Sequence, residues 1–152
     1  MSVLSQLLSP ERILCLAEAG SKKRLLQTVA GMIAEDQLSL DATEIFSQLV
    51  AREKLGSTGL GDGIAIPHCR IENCSHPLGM LVTLKTGVSF DAPDGGDVDL
   101  LFVLLVPNEA HQEHLDILAD LARLFSQQPF CAQLRGAETA DALYQTALTW
   151  ET

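Results

Sequence analysis

The hydrophobic pattern of the chain changes period several times, and its continuous apolar runs predict strands. Four short runs of this kind lie at residues 13–17, 64–66, 78–84 and 88–90. A fifth run, VDLLFVLLV at residues 98–106, is longer and almost continuously apolar, and Pro107 follows it. Such a run is typical of a central strand that is covered on both faces. We therefore expect residues 98–106 to lie in the middle of a sheet.

Elsewhere the apolar residues recur every three or four positions, and this spacing predicts helices. The segments concerned are, approximately, residues 22–35, 42–54, 111–125 and 140–149, with a shorter candidate at residues 130–134. Ser21, Asp41 and Thr139 stand just before three of these segments, where their side chains can accept a hydrogen bond from the first turn. Glu44 follows Asp41 at the spacing of a capping box. Pro129 is expected to break the chain before the shorter segment.

Together these elements predict an α/β fold, a single domain in which a mixed β-sheet of about five strands is flanked by helices on both faces. The length of 152 residues fits one domain, which we expect to span residues 1–152, and 47% hydrophobic residues can form a core. The sequence has no apolar run of about 18 residues, the length of a membrane span. Its first residues lack the basic segment of a secretory signal. We therefore expect a cytoplasmic protein without membrane insertion.

The net charge indicates which classes of partner are disfavoured, and the cysteine spacing indicates the redox state of the thiols. The formal net charge is −10, which disfavours nucleic acid and anionic membranes as partners because both are themselves negative. The four cysteines show neither a CxxC pair nor the spacing of a disulfide framework. This pattern indicates reduced thiols, as in cytosolic proteins.

The stretch LGSTGLGDGIAIPH, residues 55–68, places four glycines just ahead of a histidine. Glycines let successive backbone N–H groups converge on an anion, and Ser57 and Thr58 add hydroxyl donors. Arg52, about one turn upstream, adds a guanidinium group that suits phosphate or carboxylate. The stretch lacks the Gly-Lys-Ser/Thr of a P-loop and the third glycine of a dinucleotide fingerprint. It therefore predicts an anion site without a nucleotide signature, with His68 at its edge.

Two histidines are candidates for the chemistry of this site. The ordinary pKa of about 6.5 leaves a histidine such as His68 largely neutral, so it can act as a nucleophile and form a covalent intermediate. His114 lies on the helix that follows the central strand, in register with the apolar inward stripe, and ligands collect at the carboxyl ends of strands. The residues alone leave other readings open. His68 could be an isolated histidine at a strand end, and His111 and His114 could be one surface and one core histidine.

The run EKLGSTGLGDGIAIPHC, Glu53 to Cys69, resembles the phosphorylation-site motif of the fructose/mannitol-type enzyme IIA proteins of the phosphoenolpyruvate-dependent phosphotransferase system. That motif has an acidic or amide residue and a hydrophobic residue seven positions later. Gly, Ala, Pro and His then follow in fixed register, with a small residue after the histidine. The resemblance extends over nearly the whole chain and includes SKKRLLQTVAGMIAE near its start. Within the family, the segment REKLGSTGLGDGIAIPH is similar to the sequences of the nitrogen-regulatory branch.

The resemblance implies a phosphoryl relay from phosphoenolpyruvate through enzyme I and an HPr-like phosphocarrier to this chain, without a cofactor. His68 matches the histidine that is phosphorylated on Nε2, His114 matches the second active-site histidine, and Arg52 matches an arginine near the phosphoryl group. Motif positions close to the phosphoryl group are matched by Ser57, Thr58 and Gly59. The nitrogen-regulatory branch implies output through phosphorylation-dependent binding to proteins of potassium transport, to sensor kinases, or to proteins of nitrogen and carbon control.

Two other functions remain open on the sequence. A sugar-specific enzyme IIA would pass its phosphoryl group to an enzyme IIB. A metal-binding protein would use histidines and cysteines that lie close together in sequence, although their spacing matches no common zinc signature. The candidate ligands are His68, Cys69, Cys74, His76, His111 and His114.

Cys69 occupies the position after the histidine, where the family most often has glycine. A thiol beside the nucleophile raises the hypothesis that oxidation of Cys69 regulates phosphoryl transfer. An inert small residue is the alternative.

Overall fold

The computed structural model describes residues 3–109 and 112–150, and within them six strands form one mixed sheet. The strands are β1 (Ile13–Ala17), β2 (Gly59–Gly61), β3 (Ile64–Ala65), β4 (His68–Ile71), β5 (Leu78–Ser89) and β6 (Asp97–Pro107). Their order across the sheet is β1-β5-β6-β3-β2, and β4 also pairs with β6. Strand β5 runs antiparallel to β6, whereas β3 and β4 run parallel to it. Strands β3 and β4 therefore lie end to end along one edge of β6.

Strand β6 is the centre of the sheet, as its apolar run predicts. Successive side chains of a strand point to opposite faces, and here both faces are covered. Leu101, Val103 and Leu105 belong to one hydrophobic core, on one side of the sheet. Phe102 and Leu104 belong to the second core, on the other side. Burial on both faces explains why polar residues are missing from the middle of this strand.

The helices divide between the two faces of the sheet. They are α1 (Val3–Leu7), α2 (Lys22–Asp36), α3 (Ala42–Leu55), α4 (Gln112–Phe125), α5 (Gln128–Gly136) and α6 (Ala140–Thr149), with a 3-10 turn at Pro10–Arg12. Helices α2 and α3 cover the first core, and α1, α4, α5 and α6 cover the second. The predicted α/β class, with a mixed sheet and helices on both faces, is confirmed. None of the helices in residues 3–109 and 112–150 is long and apolar enough to cross a membrane.

The predicted helix starts are confirmed by their caps. The side chains of Ser21, Asp41 and Thr139 each accept a hydrogen bond from a backbone N–H of the first helical turn, at 3.2, 3.0 and 3.1 Å. These bonds satisfy donors that have no partner inside the helix, which is why the residue type before the helix identifies its start. The position of Pro129 was read wrongly, because this residue lies inside α5. A proline is tolerated there since the first turn needs no N–H from it.

Several short elements escape the sequence pattern. The candidate at residues 88–90 is not separate, because β5 continues to Ser89 with a register irregularity between Thr83 and Val88. Strands β2 and β4 and helix α1 were not predicted. β2 is mostly glycine and half of the residues of β4 are polar, so neither shows an apolar run, and α1 has only five residues, too few to show a helical period. His111, the predicted start of the fourth helix, lies outside the described residues, and α4 begins at Gln112.

Candidate active site

Backbone hydrogen bonds to β6 fix the position of His68 in the sheet. The carbonyl of Pro67 accepts a hydrogen bond from the N–H of Leu104 at 2.9 Å. Strand β4 then begins at His68, which pairs with Leu104. Helix α4 begins a few residues beyond the end of β6, so the carboxyl end of the central strand brings His68 and His114 together. Their ring centroids are 5.5 Å apart and the rings meet edge to face, at 86°.

The hydrogen bonds of His68 define which ring nitrogen carries the proton and which keeps its lone pair. Its Nδ1 lies 2.8 Å from the carbonyl oxygen of Ile66. A carbonyl can only accept, so Nδ1 carries the proton and Nε2 keeps its lone pair. The Nε–H of Arg52 donates to that lone pair at 3.3 Å, and the Nη1 of Arg52 donates to the carbonyl of Gly56 at 2.8 Å. The ring nitrogen with the lone pair therefore faces a guanidinium group that the Gly56 carbonyl holds in place.

His114 forms the inner wall of the site. It is buried, with 9% of its surface exposed, as its position on the inward stripe of the helix predicts. Within the described chain its Nδ1 is buried without a hydrogen-bond partner. A cleft of about 430 Å³ is lined by both histidines together with Arg52 and Arg70. The cleft thus combines two imidazoles with two guanidinium groups, in a protein whose net charge is −10.

Burial and neighbouring charges favour the neutral form of both histidines. Desolvation is the largest cause that lowers the pKa of His68, and the positive charge of Arg52 lowers it further against the opposing effect of the Ile66 hydrogen bond. Desolvation also lowers the pKa of His114, followed by the effects of His68, Arg70 and Arg52. Both lowered pKa values favour the neutral ring at pH 7, the state in which an imidazole is a nucleophile.

This protonation state gives a direct prediction for titration. In the unphosphorylated protein we expect His68 and His114 to titrate below their ordinary value of about pH 6.5, because burial disfavours the imidazolium form. Ring-proton chemical shifts followed by NMR between pH 4.5 and 8 measure both midpoints, and the same residues in urea supply the reference. A midpoint at or above the urea value for either ring would contradict the electrostatic picture.

The glycine-rich stretch does not form the predicted cradle of free donors. The hydroxyl of Ser57 donates to the carbonyl of Phe90 at 2.6 Å, and the N–H of Gly59 donates to the Ser57 hydroxyl at 3.0 Å. The N–H of Thr58 donates to the Glu53 carboxylate at 3.3 Å, and the Thr58 hydroxyl donates to the same carboxylate. A role of Ser57, Thr58 and Gly59 in phosphoryl binding stays a prediction, and it requires these bonds to be exchanged.

The glycines of this stretch are explained by close packing and by backbone conformation. A Cβ at Gly59 would lie 2.9 Å from the Cβ of Ala92. Gly63 has φ +80°, and a Cβ there would lie 2.8 Å from the guanidinium of Arg135. Only glycine fits such positions without a shift of the neighbours. These glycines therefore allow the backbone to follow the tight path that leads into β3 and β4.

Cys69 lacks the properties of a redox sensor. It follows His68 in β4, so its side chain points to the opposite face of the sheet and joins the core under α2 and α3. Burial, the largest cause, raises the pKa of its thiol to about 12. Because the thiolate is the oxidisable species, the structure argues against the oxidation hypothesis and favours an inert small residue.

The metal-binding alternative finds no support in the part of the chain that the structure describes. No three His, Cys, Asp or Glu side chains of that part are placed so that they could hold a metal ion. The Sγ of Cys74 donates to the carbonyl of His76 at 3.1 Å instead. His111, the remaining candidate ligand, lies outside the described residues.

Two residues of the site escaped the sequence analysis as site residues. Arg70 stands two positions after His68, and strand alternation places it on the same face, so a prediction of β4 would have found it. Glu53 was read only as a motif position. Its burial arises from tertiary contacts, which no local pattern reports.

Comparison with known proteins finds relatives over nearly the whole chain. The family model "Phosphoenolpyruvate-dependent sugar phosphotransferase system, EIIA 2" matches residues 6–148. A nitrogen regulatory protein of Pseudomonas aeruginosa is 51% identical over 142 residues, which cover 93% of this chain and 92% of that protein. The crystal structure of nitrogen regulatory protein IIA-Ntr from Neisseria meningitidis has a TM-score of 0.87 at 41% identity, over 95% of this chain and 99% of its own.

A more distant structure shares the fold. The crystal structure of IIA mannitol from Escherichia coli has a TM-score of 0.76 at 18% identity, over 91% of this chain and 97% of its own. The matched segment of the family model contains both histidines, Arg52 and all six strands of the sheet. Because the match runs through the site and nearly the full length, the chain belongs to the EIIA 2 family of the phosphoenolpyruvate-dependent sugar phosphotransferase system.

Proposed function

We propose that this protein is a regulatory phosphocarrier that accepts a phosphoryl group on Nε2 of His68 from an HPr-like phosphocarrier. The observation that carries the proposal is the pair of hydrogen bonds at this ring. Nδ1–H donates to Ile66, while the lone pair of Nε2 faces Arg52. This arrangement presents the one nitrogen that can attack phosphorus, next to a group that binds phosphoryl oxygens.

The transfer needs little beyond positioning and charge. Attack forms the Nε2–P bond and breaks the bond between phosphorus and the donor atom, which leaves with the electron pair. The imidazole of His68 gains positive charge as the new bond forms, and the Ile66 carbonyl stabilises that charge through Nδ1–H. Arg52 exchanges its hydrogen bond to Nε2 for bonds to the phosphoryl oxygens. The neutral ring of His114 bounds the site on the inner side.

The output is a change of charge at an exposed surface. Phosphorylation adds about two negative charges to a cleft that carries Arg52 and Arg70. The exposed leucines Leu55 and Leu115, with 84% and 61% of their surfaces exposed, stand beside Arg52 and His114 in α3 and α4. A partner that binds this surface therefore distinguishes the two states without a change of fold. The resemblance to the nitrogen-regulatory branch implies proteins of potassium transport and sensor kinases as targets, and these targets are part of the proposal.

The first experiment is intact mass spectrometry after incubation with phosphoenolpyruvate, enzyme I and an HPr-like phosphocarrier. We expect the wild-type chain to gain one acid-labile phosphoryl group, which peptide mapping assigns to His68. Pull-downs with both states then identify the regulatory target. An enzyme IIB that takes the phosphoryl group efficiently would favour the sugar-specific alternative. No mass gain, with a donor shown to be active on another acceptor, would contradict the proposal.

A further inference from the structure

Glu53 is a buried carboxylate close to the end of α3. Its side chain is 4% exposed, and Lys22 lies 2.9 Å from Oε1. The N–H of Thr58 donates to the same oxygen at 3.3 Å, and the Thr58 hydroxyl donates to Oε2. A buried carboxylate persists only where donors replace its lost water, and here two of the three donors come from one residue of the glycine-rich stretch. Glu53 therefore fixes Thr58 in place.

Two further hydrogen bonds connect Thr58 to the nucleophile. The N–H of Ile66 donates to the carbonyl of Thr58 at 3.1 Å. The carbonyl of Ile66 then accepts Nδ1–H of His68 at 2.8 Å. Thr58 and Ile66 are 7% and 3% exposed, so solvent has little access to either residue. The bonds form a continuous chain, Glu53–Thr58–Ile66–His68, which we call the Glu53 relay.

We propose that Glu53 is a positioning residue for phosphoryl transfer, which acts on His68 through Thr58 and Ile66; the inference rests on the proposed function. A histidine side chain in water favours the tautomer with the proton on Nε2, in which the attacking nitrogen is blocked. The carbonyl of Ile66 reverses that preference because it binds a proton on Nδ1. Whatever fixes this carbonyl sets the fraction of His68 that is able to react.

The negative charge of Glu53, and not only the shape of its side chain, is needed to hold Thr58. A glutamine has one acceptor oxygen and an NH₂ group that can only donate, so it cannot accept hydrogen bonds from Lys22 and from both donors of Thr58. Lys22 also lies 4.8 Å from the ring centroid of Phe90, whose carbonyl accepts from Ser57. Lys22 thus contacts both Glu53, which binds Thr58, and the ring of Phe90, the residue whose carbonyl binds Ser57.

The test compares variants of the relay in the full-length protein. Glu53→Gln removes the charge, Thr58→Val removes the hydroxyl at constant shape, and Thr58→Ser restores it. Glu18→Gln is the matched control, since it breaks the surface ion pair of Glu18 and Lys85, at 3.8 Å between exposed side chains. Two properties are measured. NMR of the ring nitrogens gives the tautomer of His68 in the unphosphorylated protein, and single-turnover transfer from the phosphorylated donor gives the maximal rate and half-saturating concentration.

For Glu53→Gln and Thr58→Val we expect more of the Nε2–H tautomer. The maximal rate should fall by about tenfold, the effect of one lost hydrogen bond to a charged group. The half-saturating donor concentration should not change, because a defect in positioning acts on the chemical step. Thr58→Ser should recover most of the loss, and Glu18→Gln should match the wild type in both measurements.

Wild-type tautomer and rate in both relay variants would overturn the inference, and so would a defect confined to the half-saturating concentration. If Glu53→Gln does not fold, as judged by circular dichroism, the Thr58→Val and Thr58→Ser pair decides the question. A wild-type protein that accepts no phosphoryl group would overturn the proposed function. The tautomer measurement would still show in that case whether Glu53 orients His68.

Discussion

A His68→Ala variant is expected to accept no phosphoryl group under conditions in which the wild type is labelled completely. The substitution removes the nitrogen that we propose forms the bond to phosphorus, so the expected result is a complete loss of labelling and not a reduced rate. It also leaves the carbonyl of Ile66 without its hydrogen bond from Nδ1. That loss costs about 1–3 kcal/mol of stability, which a folded domain of this size tolerates. Intact mass after incubation with the active donor measures the labelling.

Two other histidines serve as controls for this experiment. His76 is exposed in the turn before β5, so His76→Ala should be labelled like the wild type. His114→Ala removes the neighbouring ring and keeps the nucleophile, so it should still accept a phosphoryl group, at a lower rate. Thermal melting should show that His68→Ala is folded. Labelling of folded His68→Ala at another residue would refute the assignment of the nucleophile.

The two histidines also show how much of the site can be predicted from the sequence. His114 is placed correctly because it shares a helical face with Leu121 and Phe125, both of which are buried. His68 is placed correctly because it directly follows the predicted apolar strand beside the central strand; in the structure β3 ends at Ala65, and His68 begins β4, which pairs with β6. Periodicity thus brings both residues to one end of the sheet. It also predicts α2, α3 and α6, since capping residues mark their starts.

The rest of the site depends on tertiary contacts that have no local signature. The hydroxyls of Ser57 and Thr58 look like free donors in the sequence, but the fold gives them the Phe90 carbonyl and the Glu53 carboxylate. Cys69 is adjacent to His68 in sequence, yet strand alternation sends it into the opposite core. β4 has four residues, of which two are polar, so it shows no apolar run. Composition cannot reveal such features.

Arg52→Met is expected to lower the rate of phosphoryl transfer to His68 by about 10²- to 10³-fold, the usual cost of removing one donor that stabilises charge in a transition state. Methionine keeps an apolar stem in the half-buried position but cannot bind the phosphoryl oxygens. The positive charge of Arg52 also lowers the pKa of His68, so this pKa should rise in the variant. Rapid-quench transfer and NMR titration measure the two effects.

Arg70→Met is the matched control, because it removes one guanidinium from the same cleft without a contact to Nε2 of His68. The exposed Arg70 acts through longer-range charge, which water and salt screen, so a loss of only a few-fold is expected. Arg52→Lys separates charge from geometry, since lysine keeps the charge without the planar fork. Arg52→Lys should bring the pKa of His68 close to its wild-type value but restore the transfer rate less completely. Equal losses in Arg52→Met and Arg70→Met would show that the net charge of the cleft, and not the contact of Arg52 with Nε2, promotes transfer.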